Sequence, residues 1–387
     1  MQFDHKKGFV MSSLVENADG SVTVKVTPLK AIISETFFKL GCSELEATRI
    51  AERLAGANLR GHDSHGVIRA PRYANYIEEG TQIPNVTVDI KIENETLAVI
   101  DGKFGFGQTV GEQAVDIGIK KALNNGIAIT ALQNAGHLGR IGDWAERAAE
   151  KGLVSIHMVN VRGSLIVAPF GGIDRRMSTS PFCAGIPLDN GDEPIILDMA
   201  TSVVAEGKAL VALKGGKPLP EDAIVSEDGT ITGDPKPLYG DTKQGMFPNP
   251  NNGSGALRAF GNHKGSGLNF LMEMMAGALT GSGCAGTINE PKRRFCNGMF
   301  SFYLSPEAFG HSDDSFVSEV RAYVEFLKSS RPTEPSGVVL IPGEKERQVM
   351  AKRLKGGVPL PKEAWKDILN AARNAGVMQG KIDELLA

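Results

Sequence analysis

Strand-like runs and helix-like stretches take turns along the chain between about residues 97 and 200. Leu97–Ile100, Ile127–Leu132 and Leu153–Val159 are short and rich in β-branched residues, whereas Gly111–Leu123 and Ile141–Glu150 carry apolar residues at helical spacing. This alternation is typical of an α/β protein, in which helices cover a sheet. The pattern is compatible with parallel pairing of the strands, but it does not require it.

The segments around this region are less regular. Residues 1–22 are polar and aperiodic, which predicts a ragged leader. Residues 214–255 are rich in Gly, Pro, Asp and Lys, which predicts an irregular excursion over the surface. Lys264–Thr280 is apolar throughout, and we expect it to form a helix that is buried on most sides.

Helices are also expected near both ends of the chain. Thr27, which precedes a proline, is predicted to be the N-cap of a first helix. Ser43 and Glu46 have the spacing of a capping box for a second helix, which Gly61 would close. Amphipathic stretches after residue 314 predict further helices.

The charge balance argues against one class of function. The chain has 42 Lys and Arg against 45 Asp and Glu, and its formal net charge is −3 at pH 7. Proteins that bind nucleic acid usually carry a basic surface, so nucleic acid is not an expected partner. A small anionic substrate would have to be held by local cations.

Neither a cleavable signal pattern nor a run of about 18 apolar residues occurs in the sequence. We therefore expect a cytoplasmic protein without membrane contact. The four cysteines, at positions 42, 183, 284 and 296, have no C-x-x-C spacing. Free thiols are the expected state, with a disulfide pair as the alternative.

The densest group of reactive side chains follows the second predicted helix. Residues 61–66 read Gly-His-Asp-Ser-His-Gly, and Arg69, Arg72 and Tyr73 come next. Arginine binds a carboxylate through two N–H groups, and histidine exchanges a proton near neutral pH. In the alternative interpretation, His62 and His65 only cap the helix. Their H-x-x-H spacing lacks the acidic ligands of a metal site, and no metal is expected.

Two further positions lie at strand ends. His137, within Gly-His-Leu-Gly-Arg, follows the strand Ile127–Leu132, where α/β proteins bind ligands. A structural turn histidine is the alternative. Asp198 closes an apolar strand, and it is either the N-cap of the following helix or the partner that orients a histidine.

A dinucleotide fingerprint is not recognisable. Residues 281–286 match G-x-G-x-x-G, but they follow a helix rather than a strand, and Pro291 interrupts the place of the next helix. A phosphate-binding loop of the G-x-x-x-x-G-K-[ST] type does not occur either. The residues alone therefore predict an acid–base site with anion-binding arginines, and no cofactor cradle.

Six stretches in order resemble the type 2 malate/L-lactate dehydrogenase family, which includes ureidoglycolate dehydrogenase, sulfolactate dehydrogenase and Δ1-piperideine-2-carboxylate reductase. The resemblance runs from about Val24 to about Pro342. The stretches are GHDSHGVIR with RY just after it, HLGRIGDWAE, VAPFGG, SPFCAGIP, LDMATS and HKGSGL.

The resemblance implies an α/β fold that is not a Rossmann fold, with a largely antiparallel central sheet and a helical domain. It also implies NAD or NADP as cofactor, a site between domains, and a homodimer. The expected divisions are a leader over 1–22, an N-terminal helical and substrate region over 23–110, a cofactor-binding α/β domain over 111–310, and a C-terminal helical region over 311–387 that packs on the N-terminal part.

By the same resemblance, Ser64 and His65 form a relay at the substrate with Asp198, which would orient His65. His137 matches the histidine assigned as acid–base catalyst in some members, so His65 and His137 both remain candidates for that role. Arg69 is expected to bind the substrate carboxylate, and Tyr73 to line the pocket. Residues implied at the cofactor are Val161, Ser164, Ser178, Ser180, Pro181, Met199, Ala200, His263, Lys264 and Gly298.

These implications point to an oxidoreductase that transfers hydride between NAD(P) and a small 2-hydroxy acid such as malate or lactate. Reduction of a cyclic imino acid and oxidation of ureidoglycolate are alternatives. Arg162 lies near the expected cofactor residues and either touches the 2′-phosphate of NADP or is a surface charge; NAD is the expected cofactor. A hydrolase or lyase with a Ser64–His65–Asp198 triad is disfavoured, because Ser64 directly precedes His65 and lacks a G-x-S-x-G elbow.

Overall fold

The fold is described from a computed structural model, which covers residues 13–188, 191–213, 218–241, 248–250, 252–287, 294–311 and 313–387. The strands of these residues are β1 (Leu14–Glu16), β2 (Val22–Val24), β3 (Asp89–Glu93), β4 (Leu97–Asp101), β5 (Ile127–Ala135), β6 (Val154–Arg162), β7 (Val167–Ala168), β8 (Phe182–Ile186), β9 (Ile195–Met199), β10 (Ile224–Val225), β11 (Ile231–Thr232), β12 (Ala256–Arg258), β13 (Cys296–Leu304) and β14 (Val358–Leu360).

The helices of the same residues are α1 (Val26–Lys39), α2 (Glu44–Leu59), α3 (Ala70–Glu78), α4 (Gly107–Asn125), α5 (Gly142–Ala149), α6 (Glu206–Leu213), α7 (Lys236–Tyr239), α8 (His263–Met272), α9 (Asp313–Lys328), α10 (Glu344–Gly356), α11 (Lys362–Asn374) and α12 (Gln379–Leu386). Short 3-10 turns occupy Asp63–His65, Val67–Arg69 and Pro306–Phe309, and α8 continues into a π-helical segment, Glu273–Leu279.

The central sheet has seven strands in the order β3-β4-β5-β13-β6-β8-β9. Its neighbours pair antiparallel except for β4 and β5. The largely antiparallel sheet implied by the resemblance is confirmed. Alternating strands and helices do not lead to a parallel sheet here, because β13 comes from much later in the chain and enters between β5 and β6. Phe300 of β13 pairs with Ala131 on one side and Met158 on the other.

The two faces of this sheet are covered unequally. On one face, α4 and α5 pack on the strands and enclose a core that includes the fully buried Trp144 and Tyr303. The π-helical segment packs on the other face, against β5, β6 and β13. It leaves apolar side chains there only half-buried, among them Met275 and Phe302. The second face is therefore less well shielded from water than the first.

A second core joins the two ends of the chain. It includes Phe37 of α1, Leu54 of α2 and Trp365 of α11. The strand β14 pairs antiparallel with β2, so that Val358 lies opposite Val24. Apolar residues from distant parts of the sequence thus share one interior, which supports the expected packing of the C-terminal part on the N-terminal part. The domain boundaries themselves stay a prediction.

The predicted start of the first helix is wrong by two residues, and that of the second is confirmed. α1 begins at Val26, with Lys25 in the N-cap position instead of Thr27. Ser43 caps α2, since its Oγ accepts a hydrogen bond of 3.2 Å from the Glu46 amide. The reciprocal bond of a capping box does not form, because the Glu46 carboxylate accepts instead from the Asn85 amide at 2.6 Å.

Two predictions about irregular segments need correction. In the described part of 214–255, β10 and α7 pack with the following strand β12 around a small core, with Ile224, Tyr239 and Leu257 buried, so the segment is not merely a surface excursion. Positions 1–12 of the predicted leader lie outside the described residues. From residue 14 the leader is ordered, because β1 pairs with β2.

The apolar stretch over 264–280 is helical as predicted, but it is not buried on most sides. Phe270, Leu271 and Leu279 are exposed. None of the four cysteines, all of which lie in the described ranges, is in a disulfide, which confirms that they are thiols. Within the described ranges, none of the helices combines the length and apolar character needed to cross a bilayer.

Candidate active site

The densest group of predicted site residues sits on a tight turn after α2. Gly61, with φ of +81°, ends the helix in the left-handed region that favours glycine. Two 3-10 turns follow, and the buried Asn58 accepts the Val67 amide at 2.8 Å. A side chain on Gly66 would collide with Asn58, so the turn packs closely on the helix. This packing determines where Ser64, His65 and Arg69 project.

The Arg69 side chain is held by its own turn. Its Nε donates to the Ser64 carbonyl at 2.6 Å. Its terminal nitrogens make no hydrogen bond within the described residues, and the side chain is only half-buried. A guanidinium held at Nε keeps two parallel donors for a carboxylate, as the prediction for Arg69 requires.

The structure brings His65 and His137 together, although they are 72 positions apart in sequence. Their rings stack with centroids 5.2 Å apart and planes 10° from parallel. His137 lies on the loop between β5 and α5. The buried Asn297 of β13 fixes that loop, because its Oδ1 accepts the Leu138 amide at 2.9 Å. The two candidate histidines therefore share one site.

Tyr73 and Gln108 hold the His137 ring. The Tyr73 hydroxyl lies 2.5 Å from His137 Nδ1, and Gln108 Nε2 donates to that hydroxyl at 3.2 Å. Burial raises the pKa of Tyr73, so its phenol stays protonated. The Tyr73 oxygen has two lone pairs, so it can accept from His137 Nδ1–H as well as from Gln108, in the tautomer that leaves the Nε2 lone pair of the imidazole available. This arrangement orients the imidazole and explains why Tyr73 is buried.

Both histidines are kept uncharged at neutral pH. Burial lowers the pKa of His65 to about 3, and the nearby positive charge of Arg69 acts in the same direction. Burial also lowers the pKa of His137 well below its usual value, with His65 and Arg69 contributing. His65 Nδ1 is buried and has no hydrogen-bond partner among the described residues. A neutral imidazole can accept a proton once its surroundings raise its pKa.

Asp198 is expected to orient His65 or to cap the following helix, but the structure shows another contact. Its Oδ2 accepts the amide of Gly142, the first residue of α5, at 2.8 Å. The Arg140 guanidinium faces it at 3.9 Å. Burial raises the pKa of Asp198, and Arg140 opposes that shift. No hydrogen bond joins Asp198 to His65 in the described part of the chain, so the relay through Asp198 stays a prediction.

Ser64 and His62 point to different neighbours. Ser64 packs against the start of α6, where a Cβ on Gly207 would lie 2.9 Å from Ser64 Cβ. His62 Nε2 lies 3.5 Å from a carboxylate oxygen of Glu346, whereas His65 stacks on His137. The two histidines of the H-x-x-H stretch thus do not converge on one point, and no metal-binding group of three or more His, Cys, Asp or Glu occurs among the described residues.

One set of predicted cofactor residues meets at Thr201. The Thr201 hydroxyl bonds to the Ser180 carbonyl at 2.9 Å, and Asn269 Nδ2 donates to Thr201 Oγ1 at 2.8 Å and to the Ser178 carbonyl at 2.6 Å. These bonds tie the loop before β8 to the residues after β9 and to α8. The set comprises Ser178, Ser180, Pro181, Met199 and Ala200, and α8 begins with His263 and Lys264.

A second set lies on the neighbouring pair β6 and β13. Val161 pairs with Asn297, and Gly298 pairs with Asn160. Asn160 Oδ1 accepts the Gly298 amide at 3.0 Å, and a side chain at Gly298 would collide with the Ala276 carbonyl. Gly298 is thus required by packing within the chain. Ser164 follows β6 and is half-buried.

Glu273 connects the two sets and was not predicted as a site residue. Its carboxylate is buried and accepts from Ser180 Oγ at 3.2 Å, from Asn160 Nδ2 at 3.1 Å and from the Ala285 amide at 2.9 Å. A buried carboxylate costs free energy unless donors surround it. The signal in the sequence was a single acid within the apolar run LMEMMAG.

Arg162 is not a surface charge, and the glycine stretch over residues 281–286 is not a dinucleotide fingerprint. Arg162 is buried and donates to the Ser282 carbonyl at 2.7 Å. Its guanidinium lies 5.7 Å from the centre of the Phe104 ring. Gly281, Gly283 and Gly286 all have positive φ and follow the π-helical segment. As predicted, this stretch is not the strand–turn–helix of a dinucleotide fingerprint.

Comparison with known proteins gives a consistent result. A family model described as malate/L-lactate dehydrogenase matches residues 24–369. Hydroxycarboxylate dehydrogenase B from Escherichia coli strain K12 is 37% identical over 352 residues, which cover 90% of this chain and 93% of that protein. The structure of malate dehydrogenase from Pyrococcus horikoshii OT3 matches with a TM-score of 0.80 and 31% identity, over 96% of this chain and 99% of that one. Δ1-Piperideine-2-carboxylate reductase from Pseudomonas syringae pathovar tomato matches with a TM-score of 0.75 and 26% identity, over 90% and 99%.

The lowered pKa of His65 predicts how stability depends on pH. Unfolded, the imidazole titrates near 6.5; folded, its pKa is about 3. Below pH 6.5 the unfolded chain binds a proton that the folded chain does not, so the free energy of unfolding falls as the pH is lowered, by up to about 1.4 kcal/mol per pH unit. His65→Gln removes this loss. In urea unfolding, the wild type should lose more stability between pH 7.5 and pH 5 than His65→Gln does.

Ser64→Ala is the matched control for this measurement, because it changes the same turn without removing a titratable group. Its stability should follow the pH dependence of the wild type. Parallel profiles for the wild type and His65→Gln would show that His65 is not held neutral by the fold.

Proposed function

The chain belongs to the malate/L-lactate dehydrogenase family, and on that premise we propose that it transfers hydride between NAD(P) and a small 2-hydroxy acid or its 2-keto acid. The observation that carries this proposal is the neutral His65–His137 pair beside Arg69, whose terminal donors are unused in the described structure. A 2-hydroxy acid requires a proton acceptor for its hydroxyl and a cation for its carboxylate, and this site offers both.

In the oxidation direction, a neutral imidazole takes the hydroxyl proton while hydride leaves C2. Both rings are uncharged at neutral pH, so either can accept that proton. His137 is the better-oriented ring, since Tyr73 and the backbone of its loop fix it, whereas His65 Nδ1 has no partner among the described residues. We assign the proton transfer to this pair and the orientation of His137 to Tyr73 and Gln108.

In the reduction direction, the imidazole must carry a proton to donate to the developing alkoxide. The positive charge of Arg69 is one cause of the lowered pKa values of His65 and His137. A substrate carboxylate bound to Arg69 would neutralise that charge and raise both pKa values toward the working pH. Binding of the anionic substrate would thus promote protonation of the group that reduces it. This coupling follows from the proximity of Arg69 to both histidines.

The residues suit a nicotinamide cofactor, which supplies or accepts the hydride when it is bound. Asn269 Oδ1 is buried without a donor in the described part of the chain, and a carboxamide N–H group would satisfy it. Pro181 and Met199 nearby are half-buried and apolar, as the face of a ring requires. Lys264 is exposed at the positive end of α8, where a phosphate is stabilised.

We propose NAD rather than NADP. The cation expected near the 2′-phosphate, Arg162, is buried and bonded to the Ser282 carbonyl, so it is already engaged within the protein.

We also propose a cytoplasmic location. The four cysteines form no disulfide, which suits a reducing compartment.

We further propose a homodimer, as the family resemblance implies. The exposed Phe270, Leu271 and Leu279 flank the sheet face on which Met275 and Phe302 are half-buried. Several exposed apolar side chains on one helical stretch are typical of an interaction site. A second copy of the chain would cover it with the same surface.

A substrate panel tests the proposed function. Purified protein is mixed with NADH or NADPH, and absorbance of the reduced nicotinamide is followed with pyruvate, oxaloacetate, related 2-keto acids and cyclic imino acids. We expect oxidation of NADH by at least one 2-keto acid. Turnover of the imino acids alone would move the chemistry to reduction of C=N, the reaction in the name of the P. syringae neighbour. If none of the compounds leads to oxidation of NADH or NADPH, the proposal is contradicted.

Arg69→Lys should raise KM for the 2-keto acid strongly. Lysine keeps the charge but loses the two parallel donors, and one good charge-assisted pair is worth about 1.5–3 kcal/mol, or roughly 10- to 100-fold in kcat/KM. Steady-state kinetics measure the effect. Arg72→Lys is the matched control, because Arg72 is exposed and contacts Tyr76 four residues along the chain. Equal effects of both variants would refute the role of Arg69.

Leu279→Glu should convert the dimer to a monomer in size-exclusion chromatography with light scattering. It places a charge on a side chain that is 61% exposed in the single chain and would be buried by a second copy. Leu123→Glu is the control, since Leu123 is 56% exposed on α4, away from that face. A wild type with the mass of a monomer would overturn the homodimer.

A further inference from the structure

We propose that Arg353, on α10, is a positioning residue for the turn that carries Ser64, His65 and Arg69, and that it acts through Asp63. This inference rests on the proposed function for its effect on catalysis. No motif in the sequence marks Arg353, which lies 290 positions after Asp63.

Arg353 forms hydrogen bonds to two residues at the turn, Asp63 and Asn58. Its Nη1 donates to Asp63 Oδ1 at 2.6 Å and its Nη2 donates to Asp63 Oδ2 at 3.0 Å. Nη1 also donates to the Asn58 carbonyl at the end of α2. One planar guanidinium thus bridges the last turn of the helix and the first residue of the 3-10 turn. Lysine would offer no such fork.

Asn58 holds the same turn from the inside. Its Nδ2 donates to Asp63 Oδ1 at 2.6 Å, and its Oδ1 accepts the Val67 amide at 2.8 Å. Asp63 is therefore shared between a buried amide and Arg353. The Asp63 side chain is 49% exposed, so the ion pair with Arg353 is screened by water and contributes little stability. The contact therefore matters because it positions the turn, not because it stabilises the fold.

Other residues of α10 touch the same turn. Val349 packs against Gly61, where a Cβ would lie 3.2 Å from Val349 Cγ1. Glu346 lies 3.5 Å from His62 Nε2, and the hydrogen bond from His62 lowers the pKa of the Glu346 carboxyl. Three consecutive residues of the turn, from Gly61 to Asp63, thus each contact α10. The helix follows the turn along its length.

The same helix reaches the strand that carries Asp198. Arg347 Nη1 donates to the Pro194 carbonyl at 3.0 Å, and Gly343, with φ of +92°, lies against the backbone of Ile196. Through these contacts α10 connects the turn with His65 to the edge strand β9.

A shift of the turn would reach the reacting groups directly. The Ser64 carbonyl holds Arg69 Nε, and His65 stacks on His137. Displacement of a reacting group by about 1 Å can lower turnover by roughly 100-fold. Loss of the Arg353 contacts should therefore impair turnover of the 2-keto acid. The proposed cofactor residues lie elsewhere and should bind NADH as before.

The experiment compares Arg353→Ala with the wild type in three measurements: the Kd for NADH by fluorescence, kcat and KM for the 2-keto acid found in the panel, and hydrogen exchange of peptides over residues 58–70. We expect an unchanged Kd, a kcat/KM lowered about 10- to 100-fold, and faster exchange in 58–70. Millimolar guanidinium should restore part of the activity, which a general loss of stability would not allow.

Arg147→Ala is the matched control. Arg147 forms a bidentate pair with Asp116 at 2.6 and 2.8 Å, and Asp116 is 49% exposed, like Asp63. That pair joins α5 to α4 and does not touch the turn. Its loss should leave kcat/KM and the exchange of 58–70 unchanged. Asp63→Asn provides a second test of the same contact, which decides the matter if Arg353→Ala fails to fold.

The outcomes separate this inference from the proposed function. If the wild type turns over no substrate of the panel, the proposed function fails, and exchange over 58–70 alone decides whether Arg353 holds the turn. If the wild type is active and both Arg353→Ala and Asp63→Asn keep kcat/KM within about twofold with unchanged exchange, the positioning role is refuted.

Discussion

The insertion of β13 between β5 and β6 is the constraint on which the rest of this structure depends. Its antiparallel ladders with both neighbours place Asn297 and Gly298 next to β6 and beneath the loop of His137. Asn297 uses one side chain to bond the Leu138 amide and the Asn160 carbonyl. Backbone pairing in the middle of the sheet thus brings the loop with His137 against the strand that leads to the proposed cofactor residues.

The pKa values of the histidines at the site depend on burial rather than on the net charge of the protein. The net charge is −3, and the pKa values of His65 and His137 are lowered mainly because the rings are removed from water. Glu273 is the opposite case, a buried carboxylate surrounded by neutral donors from three segments. The two histidines are thus kept uncharged by their surroundings, as acid–base chemistry at one carbon requires.

Much of the site could be predicted because its residues lie in short glycine-flanked motifs. The turn with Ser64, His65 and Arg69, and the loop with His137, were found from spacing and residue type, and the family resemblance ordered them. The sequence does not indicate which residues contact the site from distant parts of the chain. Gln108 lies in a helix of mixed composition, and Asn297 and Glu273 lie in mainly apolar elements. The residues next to them in sequence do not indicate what they contact. The same holds for Arg353, on a helix without any recognisable motif.

The sequence by itself determined the element types, the ordered motifs and thereby the family, because local spacing and residue chemistry suffice for those. It did not determine strand pairing, since β13 enters the sheet from much later in the chain and turns the parallel arrangement that the pattern allowed into an antiparallel one. Nor did it determine the contacts of Asp198, which bonds the start of α5 rather than His65. Only the tertiary structure decided these points, because hydrogen bonds and burial between distant segments depend on packing that no local pattern encodes.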